Sequence, residues 1–159
     1  MQISYILFDS ENLSIIKIGN NYINDVKIKE ESFKINKITK EMIDNGKNIK
    51  FVLEDFIKAI KECDILVGHN YGFDKKIIMV ECVRNKLFYK LNYILKQKKY
   101  YCTMKNSKDI CKIPSIYKIG DYKLPKLIEL HESLFNEPII SNNLHNSLVD
   151  CIFTLKCYI

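Results

Sequence analysis

Short apolar runs and longer amphipathic segments alternate along the first half of the chain. Ile3 to Phe8 is a β-branched and aromatic run closed by polar residues, and it predicts a buried strand. Asp64 to Val67 predicts a second short buried strand. Between them, Ser14 to Ile18 and Tyr22 to Ile28 flank the turn-forming sequence Gly19-Asn20-Asn21, which predicts a hairpin pairing beside the first strand.

The amphipathic segments predict helices. Thr39 is a predicted N-cap for a short helix over Lys40 to Ile43. Asn70 is predicted to cap a helix that continues to about Phe88. Between these two, a helix is predicted whose core-facing stripe consists of Phe51, Val52, Phe56, Ile57 and Ile60.

Length and composition predict one folded domain. With 159 residues and 47% hydrophobic composition, the chain is long enough for a single core and too short for two, so we expect one domain over residues 1–159. The 25 Lys and Arg against 19 Asp and Glu give a net charge of +6. This balance suits a polyanionic partner but is common among proteins that bind none, so it is a weak indicator of nucleic acid.

The cysteines and the N-terminal residues indicate the cellular compartment in which the protein is expected. The six cysteines form no Cys-x-x-Cys pair, so we expect free thiols in a reducing compartment and neither zinc nor disulfides. Residues 1–10 have no basic region and no small-residue cleavage site, and no apolar run approaches membrane-spanning length. We therefore expect a soluble intracellular protein, in the cytoplasm or the nucleus, with no membrane partner.

Two carboxylates follow the first predicted strand. On a strand, residues two apart share a face, so Asp9 and Glu11 are predicted to point the same way and Ser10 the other. Two adjacent carboxylates at the end of an apolar strand repel each other unless a cation lies between them. The alternative is that these acidic residues mark only a solvated turn, and the pattern alone leaves both open.

The second predicted buried strand ends in the sequence His69-Asn70-Tyr71-Gly72-Phe73-Asp74. Asp74 is predicted to lie in the first turn of the following helix, where the helix dipole favours an anion. That position needs no metal to explain it. On its own, His69 is more typical of a packing or hydrogen-bonding histidine than of a metal ligand.

His145 and Asp150 lie five residues apart in an apolar helical run near the end of the sequence. Five residues turn an α-helix through about 500°, so we place His145 in the loop or first turn and Asp150 about a turn further in. Converging carboxylates hold the hard divalent ions used in phosphodiester cleavage, and an imidazole with a pKa of about 6.5 can deprotonate the attacking water. A surface histidine and a helical aspartate that never meet are the open alternative.

Together, these motifs resemble those of the DEDD superfamily of 3′-to-5′ exonucleases, in its histidine subgroup, which contains the proofreading epsilon subunit of bacterial DNA polymerase III. The first family motif, Asp-x-Glu, matches Asp9 and Glu11; the second matches His69, Asn70, Phe73 and Asp74; the third matches His145 and Asp150, with Ser147 where alanine is usual. Asn146 stands where the sister subgroup has tyrosine. The segments between the motifs that also resemble the family are Ile35 to Asp44, Tyr101 to Lys105 and Tyr122 to Leu130, the last with a core-facing stripe of Leu124, Leu127, Leu130 and Leu134.

The resemblance implies an α/β ribonuclease H-like fold, with a mixed central sheet flanked by helices and a carboxylate cleft at one sheet edge. It also implies two divalent cations, Mg²⁺ or Mn²⁺, held by Asp9, Glu11, Asp74 and Asp150, and a general base at His145. The candidate substrate-binding residues are Ser10 through its backbone, Leu13 as an apolar wedge, Asn70, and Tyr71 as a stacking surface shared with Tyr100 and Tyr101. An ordinary strand position for Leu13 and core packing for most tyrosines are the alternatives.

The function implied is a metal-dependent 3′-to-5′ exonuclease that acts on single-stranded ends, with DNA favoured, and releases nucleoside 5′-monophosphates. A polymerase or replication complex is a further candidate partner. Two alternatives stay open: an RNA-directed member of the same family, and a catalytically silent nucleic-acid-binding module. The region from Asn12 to Lys34 is shorter than its family counterpart and the chain stops at Ile159, departures that bear on substrate grip and stability.

Overall fold

The first two strands form an antiparallel pair. The computed structural model describes residues 1–24, 38–137 and 146–159. Within it, β1 (Gln2–Asp9) pairs with β2 (Ser14–Tyr22), with Asp9 opposite Ser14 at the turn. Alternate side chains of β1 are buried, namely Ile3, Tyr5 and Leu7. The predicted strand over Ile3 to Phe8 is confirmed.

The hairpin predicted at Gly19-Asn20-Asn21 is wrong, because these residues continue β2 without a turn. The ring of Tyr5 packs directly over Gly19, where an added Cβ would lie 2.1 Å from Tyr5 Cε1. The glycine therefore makes room for an aromatic ring across the strand pair and does not supply a positive φ. Ile23 continues with an isolated parallel bridge to Lys47, and the rest of the predicted second hairpin strand, residues 25–28, lies outside the described residues.

Two helices follow in the next described segment. In α1 (Lys40–Asp44), the Thr39 hydroxyl accepts a hydrogen bond from the Met42 amide at 3.2 Å, so the predicted N-cap is confirmed. In α2 (Ile49–Glu62), the buried side chains are Val52, Leu53, Ile57, Ala59 and Ile60. Phe51 is 71% exposed, so its assignment to the core stripe is wrong. The core-facing side of α2 is centred on Leu53, so Phe51 lies on the solvent side of the helix.

The parallel strands and their helices come next. β3 (Ile65–Gly68) pairs in parallel with β4 (Lys99–Cys102), and the chain between them forms α3 (Tyr71–Arg84) and α4 (Phe88–Leu95). The helix predicted to reach Phe88 ends earlier, because Lys86 adopts a left-handed backbone with φ 61°. The amides of Lys86 and Leu87 then bond back to the carbonyls of Val83 and Cys82, which is the Schellman pattern of a helix end.

The remaining elements are helical: α5 (Thr103–Asn106), α6 (Lys108–Cys111), α7 (Leu127–Phe135) and α8 (Ser147–Lys156). The segment Tyr122 to Leu130, which resembles the family, is helical only from Leu127 onwards. Leu130 is buried as expected, but Leu124 is 45% exposed and Leu134 is 41% exposed, so both ends of the predicted leucine stripe are wrong. The core-facing part of α7 is one helical turn centred on Leu130.

The α/β class is confirmed, with antiparallel and parallel strands flanked by helices. In the described part of the chain the strands form two hydrogen-bonded pairs, β1 with β2 and β3 with β4, and α8 packs against both β1 and β3. The main core lies between the strands and the helices α2 and α4, around Leu53, Ile57 and Leu91. All six cysteines lie in the described segments and are free. No helix in these segments is long and apolar enough to cross a membrane.

Candidate active site

Asp9 ends β1 and organises the turn that follows it. Its Oδ1 accepts hydrogen bonds from the amides of Glu11 at 2.9 Å and Asn12 at 3.1 Å, and its Oδ2 accepts from Asn12 Nδ2 at 2.6 Å. The bonds from the Asn12 side chain and then from the two amides hold the pKa of Asp9 below its ordinary value, so the carboxylate stays ionised. The prediction that Asp9 and Glu11 share a strand face is wrong. The strand ends at Asp9, and Glu11 lies in an aspartate-stabilised turn.

Ser10 and Leu13 belong to the same turn. Leu13 has a left-handed backbone with φ 51°, and its side chain is 71% exposed. A leucine in this region of φ is strained, and an apolar side chain held in water gains nothing from burial. The alternative of an ordinary strand position for Leu13 is therefore wrong, while its contact with a substrate base stays a prediction.

Asn70 and Asp74 lie at the start of α3. Asn70 occupies the N-cap position with φ 63°, but its side chain makes no capping bond, so only the position predicted for it is confirmed. Asparagine tolerates this left-handed backbone better than most residues, which accounts for its place in the tight turn from β3 into α3. Asp74 lies in the first turn of α3 as predicted.

The start of α8 is fastened to β1. The Asn146 side chain accepts a bond from the Leu148 amide at 3.0 Å and so caps the helix. The Ser147 hydroxyl lies 2.6 Å from the Ser4 hydroxyl, and the Ser147 amide donates to Gln2 Oε1 at 3.1 Å. These contacts fix the first turn of α8, which contains Asp150, against the strand that ends at Asp9.

The negative charges of Asp74 and Asp150, at the starts of α3 and α8, interact unfavourably. Burial raises the pKa of Asp74 to about 6, and the negative charge of Asp150 adds to this rise. Asp74 as a whole is exposed, so its carboxyl lies near the surface and not deep in the core. Cys151 interacts with the same two carboxylates. Burial raises the pKa of its thiol to about 12, and the charges of Asp150 and Asp74 add to this rise. Sequence reasoning missed the interaction of Cys151 with these carboxylates, and its only signal in the sequence is the position next to Asp150.

The full predicted ligand set is not assembled. Among residues 1–24, 38–137 and 146–159, no three His, Cys, Asp or Glu side chains are grouped so as to hold a metal ion. The Asp74 and Asp150 pair offers the oxygen donors that Mg²⁺ and Mn²⁺ prefer, and a cation between them would relieve their repulsion. Asp9 is directed at its own turn, and His145 lies outside the described residues. The metal-ligand set and the general base therefore both stay predictions.

His69 is held by protein groups at both ring nitrogens. Nε2 lies 3.1 Å from the carbonyl oxygen of Pro125, and Nδ1 lies 3.0 Å from the Thr103 hydroxyl. Because a carbonyl only accepts, we assign the proton to Nε2, and Nδ1 of the neutral ring then accepts from Thr103. Burial lowers the pKa of His69, which favours this neutral form. The interpretation of His69 as a hydrogen-bonding residue agrees with this geometry.

The predicted tyrosine surface is divided between two contacts. The ring of Tyr71 stacks on that of Tyr100, with centroids 5.3 Å apart and planes 7° from parallel. Tyr101 packs edge-on against Tyr158. Tyr100 is 69% exposed while Tyr71 is half-buried, so the ring open to a base is Tyr100 more than Tyr71.

Comparison with known proteins bears on the whole chain. A family model described as Exonuclease matches residues 1–158, a span that includes every candidate residue from Asp9 to Asp150. No curated protein and no solved structure was found to match the chain.

Proposed function

We propose that this chain, which belongs to the exonuclease family, hydrolyses phosphodiester bonds at the 3′ end of single-stranded nucleic acid, with DNA favoured. Family membership makes it a hydrolytic nuclease with the ribonuclease H-like fold, and members of this family generally use divalent metal ions. The direction of cleavage, the polymer and the release of nucleoside 5′-monophosphates are our proposal.

The finding that carries the proposal is the electrostatic interaction between Asp74 and Asp150. They belong to the second and third motifs, and the fold places both in the first turns of different helices with coupled charges. Two neighbouring carboxylates destabilise a folded protein, so such pairs are typical of functional sites. A nuclease has a use for them, because its reaction needs cations at a polyanionic substrate.

Each residue then has a proposed role. Asp74 and Asp150 hold a divalent cation, and Asp9 and Glu11 complete the set for two ions, Mg²⁺ or Mn²⁺, at the cost of loosening the Asp9 turn. Such ions, when bound, polarise the phosphate and lower the pKa of the attacking water. His145 takes the proton from that water. Leu13, presented by its strained turn, packs against the terminal base, with backbone groups at Ser10 near the terminal sugar.

The test is degradation of single-stranded DNA and RNA labelled at the 3′ or 5′ end, with Mg²⁺, with Mn²⁺ and with chelator. We expect metal-dependent release of mononucleotides from the 3′ end. Asp150→Ala should lower the rate by about a hundredfold or more with the fold intact by circular dichroism. Glu41→Ala, which removes an exposed acidic residue from the first turn of α1, is the matched control and should leave the rate unchanged.

Asp9 requires a different substitution. Asp9→Asn removes the charge and the acceptor for Asn12 Nδ2, but it keeps an oxygen that accepts from the amides of Glu11 and Asn12, so the backbone bonds of the turn are preserved. A loss of activity comparable with that of Asp150→Ala would support a ligand role for Asp9. Full activity in Asp9→Asn or in Asp150→Ala would contradict the proposed ligand set.

His145→Ala separates the base from the ligands. We expect activity to fall at neutral pH while Mn²⁺ affinity, measured by calorimetry, stays close to that of the wild type. A loss of metal affinity as large as in Asp150→Ala would instead make His145 a ligand. Degradation of RNA but not DNA would select the RNA-directed alternative, and binding without cleavage under every condition would select the silent module.

A further inference from the structure

Residues 112–123 form a loop, here called the braced loop, that connects α6 to the segment before α7. Pro114 and Tyr122 form an antiparallel bridge. Backbone bonds flank it, from Ser115 N to Asp121 O at 2.9 Å and from Lys123 N to Ile113 O at 2.8 Å. The bonds across its base give the braced loop a defined shape.

Asp121 fastens the tip of the braced loop to the body. Its carboxylate accepts from Lys108 Nζ of α6 at 2.6 Å and lies 3.5 Å from Lys118 Nζ. Its Oδ1 also accepts from the Tyr122 amide at 2.8 Å. The hydrogen bond from Lys108, then that from the Tyr122 amide and the charges of Lys108 and Lys118, lower the pKa of Asp121 to about 2, so this carboxylate is ionised at neutral pH.

The tip of the braced loop holds large apolar side chains in water. Ile116 is 87% exposed, Tyr117 is 92% exposed and Ile119 is 103% exposed. None of the three contributes to the core, and burying side chains of this size is normally favourable. Neighbouring exposed apolar groups on an ordered protrusion indicate a binding surface.

His69 places the braced loop beside the candidate active site. Its two hydrogen bonds reach Thr103 and Pro125, and these residues bracket the segment 104–124 that contains the loop. His69 itself stands just before α3, whose first turn carries Asp74. The braced loop therefore rises from the same end of β3 and β4 as the candidate cleft.

The charge of this segment identifies the class of partner. Residues 104–126 contain six lysines and two aspartates, a net charge of +4 out of +6 for the whole chain. Lys105, Lys112 and Lys126 are exposed. Basic residues interleaved with an exposed tyrosine and isoleucines are the pattern of surfaces that bind single strands, where lysines meet phosphates and aromatic rings stack on bases.

We propose that the braced loop binds the single strand on the 5′ side of the nucleotide being removed, with Tyr117 stacked on a base and Ile116 and Ile119 packed against its neighbours. The inference rests on the proposed function. If the 3′ end occupies the cleft, the strand that leaves it can meet the loop only through nucleotides further towards its 5′ end. The loop would then set the length of strand that the enzyme grips.

The test is fluorescence anisotropy with 5′-labelled oligothymidylate in chelator, so that the strand stays intact. Tyr117→Ala should raise the Kd for a dodecamer by about tenfold and have much less effect on a trimer, which is too short to span cleft and loop. The matched control is Tyr93→Ala, which removes a tyrosine that is 71% exposed on α4 and should leave both Kd values within about twofold.

The outcomes separate this inference from the proposed function. If the wild type degrades no polymer but dodecamer binding still depends on Tyr117, the exonuclease proposal fails, and of the loop proposal only the binding of single strands by Tyr117 stands. If the wild type degrades single strands while Tyr117→Ala and the double variant Ile116→Asn, Ile119→Asn both keep wild-type dodecamer affinity, the loop proposal is overturned, and the apolar tip is left to a protein partner.

Discussion

Replacement of Asp74 tests the electrostatics of the candidate site directly. Burial, followed by the charge of Asp150, raises the pKa of Asp74 from an ordinary 3.8 to about 6 in the folded protein. A folded-state pKa above the unfolded-state pKa means that the folded state binds the proton more tightly. Ionised Asp74 therefore lowers the free energy of unfolding at neutral pH, and this penalty disappears as the pH falls through about 6 towards about 4.

The magnitude follows from the same pKa values. The difference between about 6 and 3.8 corresponds to about 3 kcal/mol at neutral pH. Because Asp74 is partly open to solvent, water screens much of this cost, and we expect about 1 kcal/mol. Asp74→Asn keeps the size and an accepting oxygen but removes the charge. It should raise the free energy of unfolding by about 1 kcal/mol at about pH 7.5 and by only a few tenths at about pH 4.

The measurement is urea unfolding at both pH values, in chelator, so that no metal masks the repulsion. Asp64→Asn, which neutralises an exposed carboxylate just before β3, is the matched control and should change the free energy of unfolding by less than about 0.5 kcal/mol. A loss of stability in Asp74→Asn at neutral pH, or an equal gain at both pH values, would refute the reasoning. In either case the coupling of Asp74 to Asp150 would no longer support a cation site.

Three further substitutions test the packing that positions the site. Gly19→Ala should lower the free energy of unfolding by about 2 kcal/mol, because its Cβ would lie 2.1 Å from Tyr5 Cε1. Gly72→Ala in α3 has no atom within 4 Å of its Cβ and should raise the free energy of unfolding by about 0.5 kcal/mol. Thermal unfolding measures both variants, and similar shifts in the two would contradict this reasoning. Thr103→Val removes the hydroxyl that donates to His69 Nδ1 and should cost about 1 to 2 kcal/mol in urea unfolding, and no measurable loss would contradict the assigned tautomer.

The features that the sequence predicted correctly depend on local signals. The strand over Ile3 to Phe8, the Thr39 cap and the first-turn position of Asp74 each follow from a few neighbouring residues. Asp150 lies in the first turn of a helix that begins at Ser147, in keeping with its predicted place about a turn beyond His145 in the sequence. Caps, strand propensity and the helix dipole act over one or two turns, so one sequence is enough to read them.

The errors depend on contacts between distant segments. Gly19 and its asparagines have the composition of a turn, yet the ring of Tyr5 on the facing strand requires the space that glycine leaves. Phe51 fits a helical stripe as well as Leu53 does, and only the position of α2 on the core decides which is buried. Glu11 falls out of the strand because Asp9 bonds two following amides. Local pattern cannot decide among such alternatives.

Of the three histidines of the chain, two are unsuited to act as the general base. His69 cannot readily take a proton from water, because Nε2 is committed to Pro125 and Nδ1 to Thr103. His131 is 3% exposed, with its ring packed against Phe135 and Phe153. A general base must reach its water within a hydrogen bond, and neither of these rings offers a nitrogen to solvent. If a histidine acts as the general base, His145 is therefore the remaining candidate. His69 instead has a structural role, because its hydrogen bonds link the end of β3 to Thr103 and Pro125, on either side of the segment that contains the braced loop.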